Sequence, residues 1–301
     1  MAPPRASEFS VDDIELFDDE ALRTFLDPRD GGVDPSVLGT AMQRSDGRLI
    51  QRVVAALPED AARRFSESRA TAADDSAVAA AQRDVMELLF WPLVYWNDPD
   101  DYEELISGEH LHPRLLDAID LDARTVCDIG AGTGRFSLAA AARARRIIAV
   151  DAVPELLRRL AAKARAAGIS NIETRRGRFA ALPLPDRSVD IAVACSSFTT
   201  GGPHGGEAAI SDAQRVVRPG GDVVVIWPQD PQWLLQRGFQ YIAVHGERTV
   251  HFRDVATAER LCSRYYSADA ATWVRVHHAA DVPFSVLGMS PPSDLCVKRV
   301  E

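Results

Sequence analysis

Apolar positions follow two different rhythms along this chain. Between Asp12 and Leu89 they come in short helical bursts, each opened by an acidic or proline-bearing turn. Asp18-Asp19-Glu20 leads into Leu22, Phe25 and Leu26, and Asp34-Pro35 opens a helix over Ser36 to Gln43. Ser45-Asp46 precedes Leu49, Ile50, Val53 and Val54; Pro58-Glu59-Asp60 starts another helix, and Ala77 to Phe90 forms the last. A carboxylate ahead of such a burst caps a helix by accepting its orphan N–H groups, and proline is tolerated at the first helical position. The pattern predicts a helical domain over residues 11–90 behind a disordered tail at 1–10.

From Arg124 the rhythm changes to compact apolar runs alternating with helical stretches. Strands are expected near 125–129, 147–151, 171–174, 189–195, 222–227, 282–288 and 293–300. This βαβα alternation predicts an α/β domain, with a parallel sheet covered by helices on both faces. Between the two regions, residues 91–114 are aromatic and acidic, with Trp91, Tyr95, Trp96 and Tyr102. The segment reads either as a lid over a ligand or as ordinary packing between domains.

The sharpest local signal is Val126-Cys127-Asp128-Ile129-Gly130-Ala131-Gly132-Thr133-Gly134-Arg135, a strand running into a glycine turn and then a helix. A dinucleotide fold requires G-x-G-x-x-G, but here the glycines fall on alternate residues and Arg135 takes the place of the last one. Asp128, two residues before the first glycine, repels a pyrophosphate and suits a ligand carrying an ammonium group. A nicotinamide oxidoreductase is therefore disfavoured. Ile147-Ile148-Ala149-Val150 then ends in Asp151, placed to accept ribose hydroxyls.

The D-x-G-x-G-x-G pattern resembles motif I of class I S-adenosylmethionine-dependent methyltransferases, and the resemblance extends from about Leu115 to the C-terminus. Gly177-Arg178-Phe179 through Asp190 is similar to the family's adenine loop, and Arg215-Val216-Val217-Arg218-Pro219-Gly220-Gly221 to its turn before strand five. The resemblance implies a Rossmann-like, seven-stranded methyltransferase sheet over 115–301, ending in an antiparallel hairpin of Val282–Leu287 and Leu295–Val300. It implies S-adenosyl-L-methionine as cofactor: Gly130, Ala131, Gly132 and Gly134 beneath it, Asp128 at its amino end, and Asp151 on the ribose. Ala152, Arg178 and Phe179 fall at the adenine, and Cys195 and Ser196 beside the methionine part. Tyr95, Trp96, Tyr102 and Phe198 are the substrate or lid candidates. Arg178 is a departure, because the family often has an acidic residue there and arginine cannot accept a hydrogen bond.

Methyl transfer from a sulfonium needs alignment more than a catalytic group. His204, in the glycine-rich loop after the fourth strand, is the candidate general base, with an exposed turn residue as the other reading. His110 and His112 read as helix-start surface residues. Ser290-Pro291-Pro292-Ser293 superficially resembles the N/D-P-P-Y motif of nucleic-acid amino-methyltransferases, but it lies in the wrong place and reads as turn chemistry.

Residues 12–89 also resemble, loosely, the helical domains of the flagellar motor switch protein family, through Ile14 to Leu22, Val33 to Leu38 and Ala56 to Phe65. No flagellar role follows from that likeness.

Composition narrows the partners. A net charge of −10 over 301 residues disfavours DNA or RNA as substrate, which leaves a small-molecule acceptor. Ten acidic side chains in residues 1–34 face only Arg5, Arg23 and Arg29, either as a solvated surface or as a docking face for a basic partner or a second copy. The four cysteines show no metal-ligand spacing, so no metal is expected. No apolar run is long enough for a membrane span and no signal peptide is evident, so a cytoplasmic enzyme is expected. The alternative is a cofactor-binding protein without catalysis, whose helical domain docks a partner.

Overall fold

The computed structural model describes residues 9–201, 205–246 and 248–301. Among the described residues two compact units emerge, one from residues 9–99 with 201, 205 and 206, and the other from residues 100–200 with 207–301. The disorder expected at the N-terminus falls almost wholly outside the described residues.

The first unit is helical: α1 (Asp19–Leu26), α2 (Pro35–Ala41), α3 (Gly47–Ala56), α4 (Glu59–Ala70) and α5 (Asp75–Asn97). The acidic residues read from the sequence do cap these helices. Asp18 accepts from the Ala21 N–H, Asp34 from those of Ser36 and Val37, and Asp46 from that of Arg48. Ile14, Phe17, Leu22, Phe25, Leu38, Met42, Phe65 and Leu89 are fully buried in this unit. Because Asp34 holds two N–H groups, Asp34→Ala is expected to lower stability by about 1 kcal/mol, read as a drop in the denaturation midpoint.

The expected end of the last helix at Phe90 is corrected. α5 runs through Pro92 to Asn97, so the expected break at 90–91 falls inside a helix. Proline removes one helical hydrogen bond, but Leu89, Phe90, Leu93 and Val94 are all buried around it, and that burial holds the helix together. Trp91, Tyr95 and Trp96 are thereby helical residues of the first unit. The Trp91 and Tyr95 rings stack at 6.0 Å, and Trp96 meets Phe17 edge-on at 5.7 Å.

The second unit opens with α6 (Pro99–Ser107) and α7 (Pro113–Asp117), then alternates β1 (Thr125–Ile129), α8 (Arg135–Ala140), β2 (Arg146–Asp151), α9 (Pro154–Ala166), β3 (Ile172–Arg176), β4 (Val189–Cys195), α10 (Gly206–Val216) and β5 (Val217–Ile226). After α11 (Pro231–Leu235) come β6 (Gln240–Ala243), β7 (Thr249–His251), α12 (Val255–Leu261), a π-helical turn (Cys262–Tyr266), α13 (Ala268–His277), β8 (Asp281–Pro283) and β9 (Asp294–Arg299). The seven-stranded sheet has the order β3-β2-β1-β4-β5-β9-β6. β1 through β5 pair in parallel, and β9 runs antiparallel to both β5 and β6. Every residue of β1 is buried, as a central strand covered on both faces requires.

The final hairpin is the second correction. Residues 281–283 leave the main sheet and pair with β7 in a separate two-stranded ladder, and the strand beside β9 is β6. Pro283 has no N–H to give a ladder, and the chain turns directly after it. β6 is hard to see in the sequence because it is a four-residue edge strand, exposed throughout, with no apolar alternation to betray it.

Candidate functional site

In an open α/β sheet, ligands lie beyond the carboxyl ends of the strands where the order reverses. Here that point is between β1 and β4, and the expected motif residues converge on it. Gly130, Gly132 and Gly134 all have positive φ, at 70°, 54° and 100°. A Cβ on Gly130 would lie 2.7 Å from the Ser197 Cβ and 2.9 Å from the Phe179 ring. One on Gly132 would lie 3.0 Å from the Tyr102 hydroxyl, and one on Gly134 only 2.3 Å from Leu160 of α9. The alternate-residue spacing thus serves three separate close approaches.

The turn is tied to the end of β2. The Gly130 and Ala131 N–H groups both donate to the Val150 carbonyl, at 2.8 and 3.0 Å. The next one, from Gly132, donates to Asp151 Oδ2 at 2.8 Å, while Asp151 Oδ1 accepts from Val153 at 2.9 Å. Asp151 is therefore a brace of the glycine turn, a role that sequence spacing does not reveal. Burial raises its pKa, and these backbone N–H bonds pull it back.

Asp128 is completely buried. Its Oδ2 accepts from the Ser137 hydroxyl at 2.6 Å, while its Oδ1 has no partner. Burial pushes its pKa up to about 7; the Ser137 bond works against this, and the Asp151 charge adds to it. An orphaned carboxyl oxygen beside a cradle that tolerates no Cβ is what a ligand with a cationic end would complete.

Beyond β4, Ser196 adopts a positive φ of 55° and donates its N–H to Ile226 at 2.9 Å, while the Ser197 hydroxyl donates to the Ile129 carbonyl at 2.8 Å. Phe198, expected to face substrate, is instead buried in the apolar cluster, edge-on to Phe179 at 5.7 Å. An apolar ring is more stable against that cluster than at a polar strand end. Arg178 forms a backbone bridge with Ala181, and the Ala152 carbonyl accepts from Arg176 at 3.2 Å. Of the aromatic candidates, Tyr102 reaches the glycine turn, whereas Tyr95 and Trp96 belong to the first unit. His204 lies outside the described residues. His112 caps α7, accepting from the Arg114 N–H, in keeping with a helix-start residue.

A polar cluster that no sequence motif marks lies close to the turn. Arg135 pairs with Glu109, which is 5% exposed and whose other oxygen accepts from the Tyr266 hydroxyl at 2.9 Å. The Arg135 guanidinium lies 5.4 Å from the Trp227 ring centroid, just past β5. The Cys195 thiol is also close by: burial pushes it up to about 12, and Arg135 pulls it back. Partners so distant in sequence as 109, 135, 227 and 266 leave no local signal.

Residues 126–221 match the family model of a methyltransferase domain. That stretch is similar in sequence to a methyltransferase domain. Over 103 residues the chain is 34% identical to an uncharacterised methyltransferase-like protein of Schizosaccharomyces pombe, covering 34% of this chain and 37% of the relative. An uncharacterised methyltransferase of Mycobacterium tuberculosis is 33% identical over 105 residues, covering 35% and 40%. The chain thus spans about two fifths of the length of the curated relatives it matches. The crystal structure of an S-adenosylmethionine-dependent methyltransferase from Aquifex aeolicus aligns with 52% of this chain and 93% of its own, with a TM-score of 0.40 and 21% identity. None of these methyltransferase relatives bears on the flagellar likeness of residues 12–89. Among the described residues, no helix is long and apolar enough to cross a membrane, and no cluster of side chains suits a metal ion.

Proposed function

We propose that this chain binds S-adenosyl-L-methionine and transfers its methyl group to a small-molecule acceptor by in-line displacement. The observation that carries this reading is the buried, unpartnered Oδ1 of Asp128 beside a glycine turn closed to any Cβ. In this reading Gly130, Ala131, Gly132 and Gly134 lie under the cofactor. Asp128 attracts its ammonium end, Asp151 accepts from its ribose, and Ala152 and Phe179 flank its adenine. Arg178 lines the adenine edge, and Cys195, Ser196 and Tyr102 border the methionine part.

When bound, the cofactor supplies a methyl carbon activated on a sulfonium. The residues of this chain orient the acceptor lone pair towards that carbon and keep water out. The net charge of −10 supports a small acceptor over a nucleic acid. His204 stays the candidate for removing a proton where the acceptor needs to lose one. The test is incubation with S-adenosylmethionine and a panel of small hydroxyl, amine and carbon acids, following S-adenosylhomocysteine. Cofactor binding without turnover on any class would favour the second reading, a non-catalytic binder whose acidic helical unit docks a partner.

The Asp128 carboxyl gives the reading a pH signature. Only its ionised form attracts an ammonium group, and its pKa of about 7 puts that ionisation in the neutral range. The affinity for S-adenosylhomocysteine is expected to rise by about tenfold between roughly pH 6 and roughly pH 8, the change in ionised fraction. Asp128→Asn should flatten that rise in calorimetric titrations. Folding stability should run the other way. The raised carboxyl keeps its proton longer in the native state, so its contribution falls as pH climbs from about 4 to about 7.

A further inference from the structure

The Arg135–Glu109 pair is half made. A guanidinium offers a carboxylate its side-on edge, the Nε and Nη2 hydrogens together, and a complete pair uses both. Here Nη2 donates to Glu109 Oε2. The second glutamate oxygen is turned away to the Tyr266 hydroxyl, and Arg135 Nε is left buried with no partner. Arg135 also reaches the Cys195 thiol, but a thiol sulfur is a weak acceptor and does not replace a carboxylate oxygen. Both Glu109 oxygens are already engaged, so what the cluster still offers is a donor. Its complement is an oxygen with negative charge.

Position agrees with that chemistry. Arg135 follows Gly134 directly, Cys195 ends β4 and Trp227 lies just beyond β5, all at the ligand-binding end of the sheet. Glu109 lies two residues beyond the end of α6, the helix that sets Tyr102 against Gly132. α6 is held by ion pairs on two sides: Asp100 to Arg159 and Glu103 to Lys163 of α9, Asp101 to Arg260 and Arg264, and Glu104 to Arg253 and Arg260. A shift of this helix would carry Glu109 with it and free the whole edge of Arg135.

We propose that Arg135 is an oxyanion-holding residue, taking a ligand carboxylate on its Nε–Nη2 edge in place of the single bond it makes to Glu109. The inference rests on the methyltransferase reading, and the carboxylate has two sources, the methionine end of the cofactor or the acceptor itself. Glu109 is the internal competitor.

The experiment is calorimetric titration of the intact chain with S-adenosylhomocysteine and with methylthioadenosine, which lacks the amino-acid end. Benzoate is titrated in parallel, with benzamide as its neutral counterpart. Arg135→Lys keeps the charge but loses the fork, and should weaken carboxylate binding at least tenfold while methylthioadenosine and benzamide stay within threefold. Glu109→Gln should tighten the same carboxylate several-fold, which a merely structural ion pair would not do. A loss confined to S-adenosylhomocysteine assigns the site to the cofactor's own carboxylate; a loss confined to benzoate assigns it to the acceptor. The double variant Glu109→Gln with Arg135→Gln leaves no unpaired buried charge, and should show the Arg135 defect in a folded protein. Unchanged affinity for both carboxylates in Arg135→Lys and in the double variant overturns the proposal, as does a wild-type chain that binds neither. Wild-type binding of benzoate without S-adenosylhomocysteine would instead sink the cofactor reading and leave the Arg135 site standing.

Discussion

Asp151→Ala is expected to weaken S-adenosylhomocysteine binding by roughly a hundredfold or more, about 3 kcal/mol. The carboxylate has two jobs in this account. It holds the Gly132 and Val153 N–H groups, and so fixes the turn in the shape a nucleoside meets. It also keeps acceptor capacity for ribose hydroxyls, and hydrogen bonds to a charged group contribute about 1.5–3 kcal/mol each. Alanine removes both. Asp151→Asn keeps one acceptor oxygen and should fall between the two. Calorimetry checks the order; an alanine variant within about threefold of wild type would mean that neither the brace nor a ribose contact of Asp151 contributes to binding.

The second large effect is on folding. Gly134→Val is expected to destabilise the second unit by about 2–5 kcal/mol. Two costs combine: a φ of 100°, which a β-branched residue does not adopt without strain, and a Cβ 2.3 Å from the Leu160 side chain. Leu160 is fully buried and cannot retreat into solvent. Thermal unfolding should show a midpoint lowered by roughly 5–15 °C. Gly168→Ala is the control: that glycine also has a positive φ, of 70°, but nothing lies within 4 Å of its Cβ position. It should cost only the backbone strain, about 1–2 kcal/mol.

How much of this molecule is legible in its sequence depends on how local each cause is. A helix cap is decided within four residues, so the capping roles of Asp18, Asp34 and Asp46 are written in the residues that follow each of them. The glycine turn is legible for the same reason, since each positive φ belongs to one residue. The buried strands β1, β2 and β4 announce themselves as apolar runs, because a central parallel strand is covered on both faces. The departures come where tertiary context decides. The last helix reads as ending at Phe90, yet the buried residues around Pro92 carry α5 onward to Asn97. The apolar run at 282–287 reads as a sheet strand, while the true partner of β9 on the open edge, β6, has only four residues, too few to show a period. The Arg135, Glu109, Tyr266 and Trp227 group is illegible for a plainer reason: its members come together through the sheet and the π-helical turn, and none has a motif of its own. The same contrast separates the glycine turn, written in consecutive residues, from the Arg135 cluster, assembled from distant ones.

On the proposed reading, the glycine turn, Asp128 and Asp151 form a nucleoside site for a ligand with an ammonium end rather than a pyrophosphate. The measurement that tests it most directly is calorimetric titration of the wild-type chain with S-adenosylhomocysteine and, in parallel, with NADH. One-to-one binding of S-adenosylhomocysteine at roughly micromolar affinity and no binding of NADH are expected. Saturable NADH binding, or no heat from S-adenosylhomocysteine at any concentration reached, would contradict that reading.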